Sequence, residues 1–182
     1  GNNNTSNGFE SLRANTTGGN NTATGYRALY ANTTGASNVA AGLQALRDNT
    51  TGDQNSAVGM SALQANTTAS NNTGMGYGCL SANTTGSENT AIGRMAGNTN
   101  TSGINNVFVG KEADSSGNFN YQTALGWNAT TERSNQTVIG YGSIFKFQSQ
   151  EYSCVNGSND DGDIASNTSP IKIPAHSVIK SI

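Results

Sequence analysis

The 182-residue chain carries 11% charged residues and a formal net charge of −2, against about 25% charged in a typical soluble domain. Its nine Lys and Arg are scattered singly, which leaves no basic stripe for nucleic acid, and no apolar run approaches the roughly 18 residues of a membrane-spanning helix. Low hydrophobicity without high net charge argues against a disordered tail; with Gly at position 1 and no signal-peptide pattern, the chain reads as a piece of a longer polypeptide.

From the first residues onward the chain repeats itself. The motif Asn-Thr-Ala-φ-Gly-φ-x-Ala-Leu-x-x-Asn-Thr-Thr-Gly (φ, apolar) runs as NTATGYRALYANTTG from Asn21 and NVAAGLQALRDNTTG from Asn38, and returns from Asn55 and Asn72. The marker glycines Gly8, Gly25, Gly42, Gly59, Gly76, Gly93 and Gly110 keep a spacing of 17; Gly126 follows after 16 and Gly140 after 14. A short fixed period is the signature of stacked coils, and 17 residues are too few for a helix-turn-helix unit of about 34. The fold expected is all-β: a parallel β-solenoid of mostly 17-residue coils over residues 1–144, followed by a small, incomplete β module over 145–182.

Within each period the run x-Ala-φ-Gly suits a strand of about four residues with side chains alternating between two faces. One face holds Ala23, Ala40, Ala57 and Ala91. The other holds Thr24, Ala41, Val58, Met75, Ile92 and Val109. The spacing predicts a bend at the marker glycine, then a second short strand carrying Leu12, Leu29, Leu46, Leu63 and Leu80, then a turn at Asn-Thr-Thr-Gly. Stacking aligns residues 17 apart at about 4.8 Å, so the Leu column and Gly25, Gly42, Gly59, Gly76, Gly93 and Gly110 form structural ladders. One Leu, at about 1.5–3 kcal/mol when buried, and one medium apolar residue per 17 ordered residues, each costing about 1–2 kcal/mol in backbone entropy, are little for a lone chain. Self-association, with both apolar columns buried, is expected.

The runs Asn89-Thr90-Ala91-Ile92-Gly93, Val107-Phe108-Val109-Gly110, Thr123-Ala124-Leu125-Gly126 and Thr137-Val138-Ile139-Gly140 resemble the Asn-x-Ala-Ile-Gly repeats of trimeric autotransporter adhesin heads. The 17-residue version, with its added Thr-Thr-Gly, resembles repeats of phage tail-fibre and virion-appendage proteins. The closing segment Ile171–Ile182 resembles strands that follow such repeats in fibre-like proteins of marine phages. The resemblance covers about residues 4–143. It implies a left-handed β-roll, a homotrimer, and a structural and adhesive fibre segment on a virion that carries a receptor-binding tip. Other fibre or virion proteins would be its partners and a host cell-surface glycan its receptor. A bacterial surface adhesin head is the alternative.

Beyond the repeat, Phe145, Phe147 and Tyr152 alternate with polar residues as a strand leaving the roll, residues 156–170 read as a polar loop, and Pro174 marks an edge strand in the last segment. Catalytic chemistry has little to use: His176 is the only histidine, and no Ser-His-Asp or Cys-His arrangement is legible. Neither an enzymatic role nor a cofactor or metal is expected. Gly74-Met75-Gly76-Tyr77-Gly78 looks like a nucleotide loop but lacks a phosphate lysine and is a copy of the repeat. Asn159–Asp163 misses the spacing of a calcium loop. Cys79 occupies an alanine column, with Ala28, Ala45, Ala62 and Ala96, and reads as a small buried residue rather than half of a disulfide with Cys154.

Three further columns have two readings each. The sequons at Asn15, Asn32, Asn49, Asn66 and Asn83 are surface acceptors or simply turn residues. Tyr26 and Tyr77, aligned with Phe9, Leu43 and Met60, either bind glycans or pack at a corner or between chains; Arg13 and Arg47 read as solvated. The Thr pairs 16–17, 33–34, 50–51, 67–68 and 84–85 would form a ladder compatible with ice binding, set against a narrow turn position.

Overall fold

In a computed structural model, which describes residues 1–141 and the strand at 145–148, the chain winds into about eight coils with no helix among the described residues. Each coil contributes one three- or four-residue strand just before its marker glycine. These are β1 (Thr5–Asn7), β2 (Thr22–Thr24), β3 (Val39–Ala41), β4 (Ser56–Val58), β5 (Thr73–Met75), β6 (Thr90–Ile92) and β7 (Val107–Val109), then β9 (Thr123–Leu125) and β11 (Gln136–Ile139). They pair in parallel in coil order. Ala23 lies opposite Ala40, Ala40 opposite Ala57, and so on through Gly74, Ala91, Phe108, Ala124 and Val138. The register absorbs the shorter 16- and 14-residue coils without slipping, because a one-residue slip would turn the buried alanine face outward.

The expected second strand is absent from the first six coils. Leu12, Leu29, Leu46, Leu63 and Leu80 sit at φ near +50°, and so, two residues earlier, do Glu10, Arg27, Gln44 and Ser61. Alternating left-handed residues curl the backbone away from strand geometry. Such a conformation costs on the order of 1–3 kcal/mol at a non-glycine residue, and two gains offset it. Leu29, Leu46, Leu63 and Leu80 are fully buried. Their N–H groups donate to the next coil, Leu29 to Ala45 O at 3.1 Å and Leu63 to Cys79 O at 2.9 Å. Leu12, in the first coil, is only partly buried. Where Asp114 and Thr130 replace Leu, the left-handed conformation disappears. There the short strands β8 (Asp114–Ser115) and β10 (Thr130–Thr131) form a second parallel ladder.

The marker glycines are required twice over. From Gly8 to Gly110 their φ lies between +131° and +144°, and at Gly59 an added Cβ would stand 2.5 Å from the carbonyl oxygen of Gly76. The coils thus approach through bare backbone at this corner.

Polar side chains fill much of the interior. Asn21, Asn38, Asn55, Asn72, Asn89 and Asn106 are buried. Each Oδ1 accepts the backbone N–H of the next member or, at Asn106, of Gln122, at 2.9–3.0 Å. From Asn21 to Asn89, each Nδ2 donates to a turn carbonyl 14 residues on at 2.8–2.9 Å. A second column, Asn32, Asn49, Asn66, Asn83 and Asn100, is fully buried. Its amides donate both to the preceding Asn Oδ1 and to the carbonyl three residues on. A buried amide is tolerated when its donors and acceptors are matched, and stacking supplies the match. At Asn100 the column ends: Gly117 stands 17 residues on, brings no side-chain amide, and Asn100 Oδ1 has no partner among the described residues.

Two irregularities in the core compensate each other in size. Gly74 replaces the strand alanine in the coil where Cys79 replaces the second alanine; a Cβ at Gly74 would lie 3.0 Å from Cys79 Sγ. Gly97 stands in the Leu column, and Phe108, the largest fully buried side chain, fills the space from the alanine column of the next coil.

At the far end, β12 (Phe145–Gln148) runs antiparallel to β11, with Ile139 opposite Phe145 and Gln136 opposite Gln148. The strand expected to leave the roll instead folds back on its last edge. The rest of the tail, with Cys154, Asn159–Asp163, Pro174 and His176, lies outside the described residues.

Candidate functional site

The coil presents two outward columns beside the marker glycine. Residues before it run Asn7, Thr24, Ala41, Val58, Met75, Ile92, Val109, Leu125 and Ile139; residues after it run Phe9, Tyr26, Leu43, Met60, Tyr77, Arg94, Lys111, Trp127 and Tyr141. Strand geometry explains the first column: the middle residue of each strand is buried and its neighbours face out. Val58, Met75 and Ile92 remain 40–46% exposed and Ile139 43%, while Leu43, Met60 and Tyr77 on the other side of the glycine are 44–47% exposed. The first column is uninterruptedly apolar from Val58 to Ile139, six residues over five steps, or about 24 Å at strand spacing.

The second column is lined by rings and cations. Phe9 stacks on Tyr26 at 5.8 Å, and Trp127 on Tyr141 at 5.0 Å. Arg27 lies over Tyr26 and Tyr30 and forms an ion pair with Glu10 at 2.6 Å; Arg94 lies over Tyr77, and Lys111 over Trp127. Tyr26 is thus in contact with Phe9 and Arg27 while remaining 40% exposed. Arg13 and Arg47 are not simply solvated: Arg13 donates to the Tyr30 hydroxyl at 2.7 Å and pairs with Glu10, and Arg47 pairs with Asp48.

The other expectations find their places. Asn32, Asn49, Asn66 and Asn83 are buried and their amides are committed to the ladder, so these sequons are not surface acceptors; Asn15 is partly buried and donates to Gly18 O. In the Thr pairs the first hydroxyl donates to the backbone of the next coil, as Thr33 does to Thr50 O and Thr50 to Thr67 O, both at 3.0 Å. One exposed Thr per coil is left, Thr34, Thr51, Thr68 and Thr85, rather than a paired array. Gly74–Met75 forms part of β5 and leads into a turn, not a phosphate-binding helix. Cys79 is buried and free, and burial pushes its thiol up to about 12. Among the described residues no group of His, Cys, Asp and Glu could hold a metal ion, and no helix is long and apolar enough to cross a membrane. Sequence reading missed the interior Asn ladders. Their signal was the invariance of both Asn positions through the repeat, beside a column that drifts as Arg13, Tyr30, Arg47, Gln64 and Ser81 do.

Comparison with protein-family models, curated proteins and solved structures finds no match.

Proposed function

We propose that this chain is a rod segment of an adhesive fibre, most simply a phage tail fibre or virion appendage, that self-associates as a homotrimer of left-handed rolls. The observation that carries the reading is the apolar column from Val58 to Ile139, flanked by the exposed Leu43, Met60 and Tyr77. A second copy is the occupant whose spacing fits. Only another stack with the same coil rise presents an apolar row opposite every row of this one, whereas a globular partner has no reason to match it. The band is also uncharged along its first column, so identical faces meet without repulsion. One column alone is a narrow strip; adding Leu43, Met60 and Tyr77 widens it toward the roughly 800 Å² per partner of a stable interface. As a shaft, such a trimer is stiffened by its ladders and carries three copies of whatever contacts a surface, so weak contacts gain from avidity. A bacterial surface adhesin head would use the same physics.

Sedimentation equilibrium of the full chain at micromolar concentration tests the assembly. The expected mass is three times 18.7 kDa. Met75→Asp with Ile92→Asp should dissociate the assembly, because each copy would bring two carboxylates into an apolar contact. A wild-type chain that stays monomeric and fully folded would overturn the reading.

A further inference from the structure

The repeat breaks in its last coils, and there a groove opens. Coils one to five carry Leu followed by Arg13, Tyr30, Arg47, Gln64 or Ser81; coil six carries Gly97 and Asn98, and coil seven Asp114 and Ser115. Here the longer residues that follow the Leu column in the earlier coils are gone and the curled backbone gives way to the β8–β10 ladder, and an open groove of about 330 Å³ spans three coils. Met95, Asn98, Glu112, Asp114, Asn128 and Thr130 are among its lining residues. In a chain that otherwise copies itself, this set occurs once.

From this lining we infer that the groove binds an uncharged polyhydroxylated ligand, a neutral saccharide. The polar groups sort by what they still have to offer. Asp114 holds the walls together: its carboxylate accepts from Thr99 N at 3.0 Å and from Ser115 N at 2.9 Å, and the Thr99 hydroxyl lies between Ser115 O at 2.5 Å and Asp114 Oδ1 at 3.0 Å. Glu112 Oε1 is held by Arg94 at 2.7 Å, which leaves Oε2 as an acceptor. Asn98 Oδ1 accepts from Ser81 Oγ at 2.6 Å, so its Nδ2 remains a donor. No protein hydrogen bond occupies the side-chain amide of Asn128 among the described residues, and it offers both a donor and an acceptor. Sugar hydroxyls donate and accept at once and match this mixture, while Met95 supplies an apolar contact for a C–H face.

Charge argues against the other ligand classes. An anion would meet two carboxylates. A divalent cation wants several free carboxylate or carbonyl oxygens, but Arg94 already pairs with Glu112, and Asp114 already accepts two backbone N–H groups and is held above the usual carboxylate range chiefly by burial. The site is built within one chain and stands whether or not the chain self-associates. An open groove with few free polar groups implies weak single-site binding, with a Kd on the order of 1 mM.

The test is saturation-transfer NMR on the full chain with glucose, galactose, mannose and N-acetylglucosamine as probes, beside sialic acid and calcium. At least one neutral sugar should receive saturation from the wild type. Asn128→Ala should weaken that binding about tenfold, the loss of one net hydrogen bond, and Thr130→Val should weaken it further, with circular dichroism unchanged in both. A Thr34→Ala variant, outside the groove, should bind as wild type. Binding to none of the four sugars, binding unaffected by Asn128→Ala, a preference for sialic acid, or sugar binding abolished by a chelator would each overturn the assignment.

Discussion

The exchange of size between Gly97 and Phe108 gives a quantitative test of how the coils pack. Phe108 is fully buried, and its ring occupies the space that a side chain at 97 would take: a Cβ there would lie 2.7 Å from the ring and 2.9 Å from Leu80 Cδ2. Phe108→Ala alone should cost about 3–5 kcal/mol, the transfer term plus the cavity. Gly97→Leu alone overpacks the same space and should cost about 1–3 kcal/mol or more. The double variant restores the pairing of the earlier coils, Ala on the strand and Leu after the bend. Its backbone is already suited, since Gly97 sits at φ +62° and Leu80 at +47°. The double variant should therefore lie near the wild type, with a coupling of at least about 4 kcal/mol instead of the sum of two losses. At roughly 2–4 °C per kcal/mol for a chain of this size, thermal melts followed by circular dichroism would place the single variants several degrees to well over ten below the wild type and the double variant close to it. Additive losses in the double variant would show that the two positions do not share one space.

Three other outcomes follow from the ladders. Leu63→Asp should lower the melting temperature far more than Gln64→Asp, since Leu63 is fully buried and Gln64 only partly and an unpaired buried carboxylate costs several kcal/mol; equal melts would refute the column assignment. Gly59→Ala, with its Cβ 2.5 Å from Gly76 O at φ +131°, should cost about 1–3 kcal/mol in backbone strain and more from coil separation, read by denaturant unfolding; a neutral effect would mean the corner is open. The Cys79 thiol, pushed from 9.0 to about 12 by burial, should be neutral in the folded and unfolded chain below pH 9. Between pH 9 and about 12 only the unfolded chain ionises, so stability should fall as pH rises, by about 1.4 kcal/mol per unit. Compared on a Cys154→Ser background, Cys79→Ala should abolish that slope, and an unchanged slope would assign it elsewhere.

Much of the architecture was legible because a repeat states its own long-range contacts. Equal spacing of Gly8 to Gly110 implies equal stacking of coils, so the parallel register, the buried Ala column and the place of Cys79 follow from periodicity alone. The outward apolar column was equally plain, because alternation about a buried alanine leaves one direction for Val58, Met75 and Ile92. What periodicity could not decide was local backbone conformation and the fate of polar groups. Leu29 and its equivalents would suit a strand by composition, but only the stacked fold shows that burial and hydrogen bonds to the next coil hold them left-handed. Asn is an ordinary turn residue on its own; the ladder that buries Asn32 or Asn49 exists only when another copy lies at each side of it. The pairing of Gly97 with Phe108, the return of β12 onto β11 and the groove between Asn98 and Thr130 depend on distances across coils. They arise where the repeat changes, and there a sequence period no longer reports which residues meet.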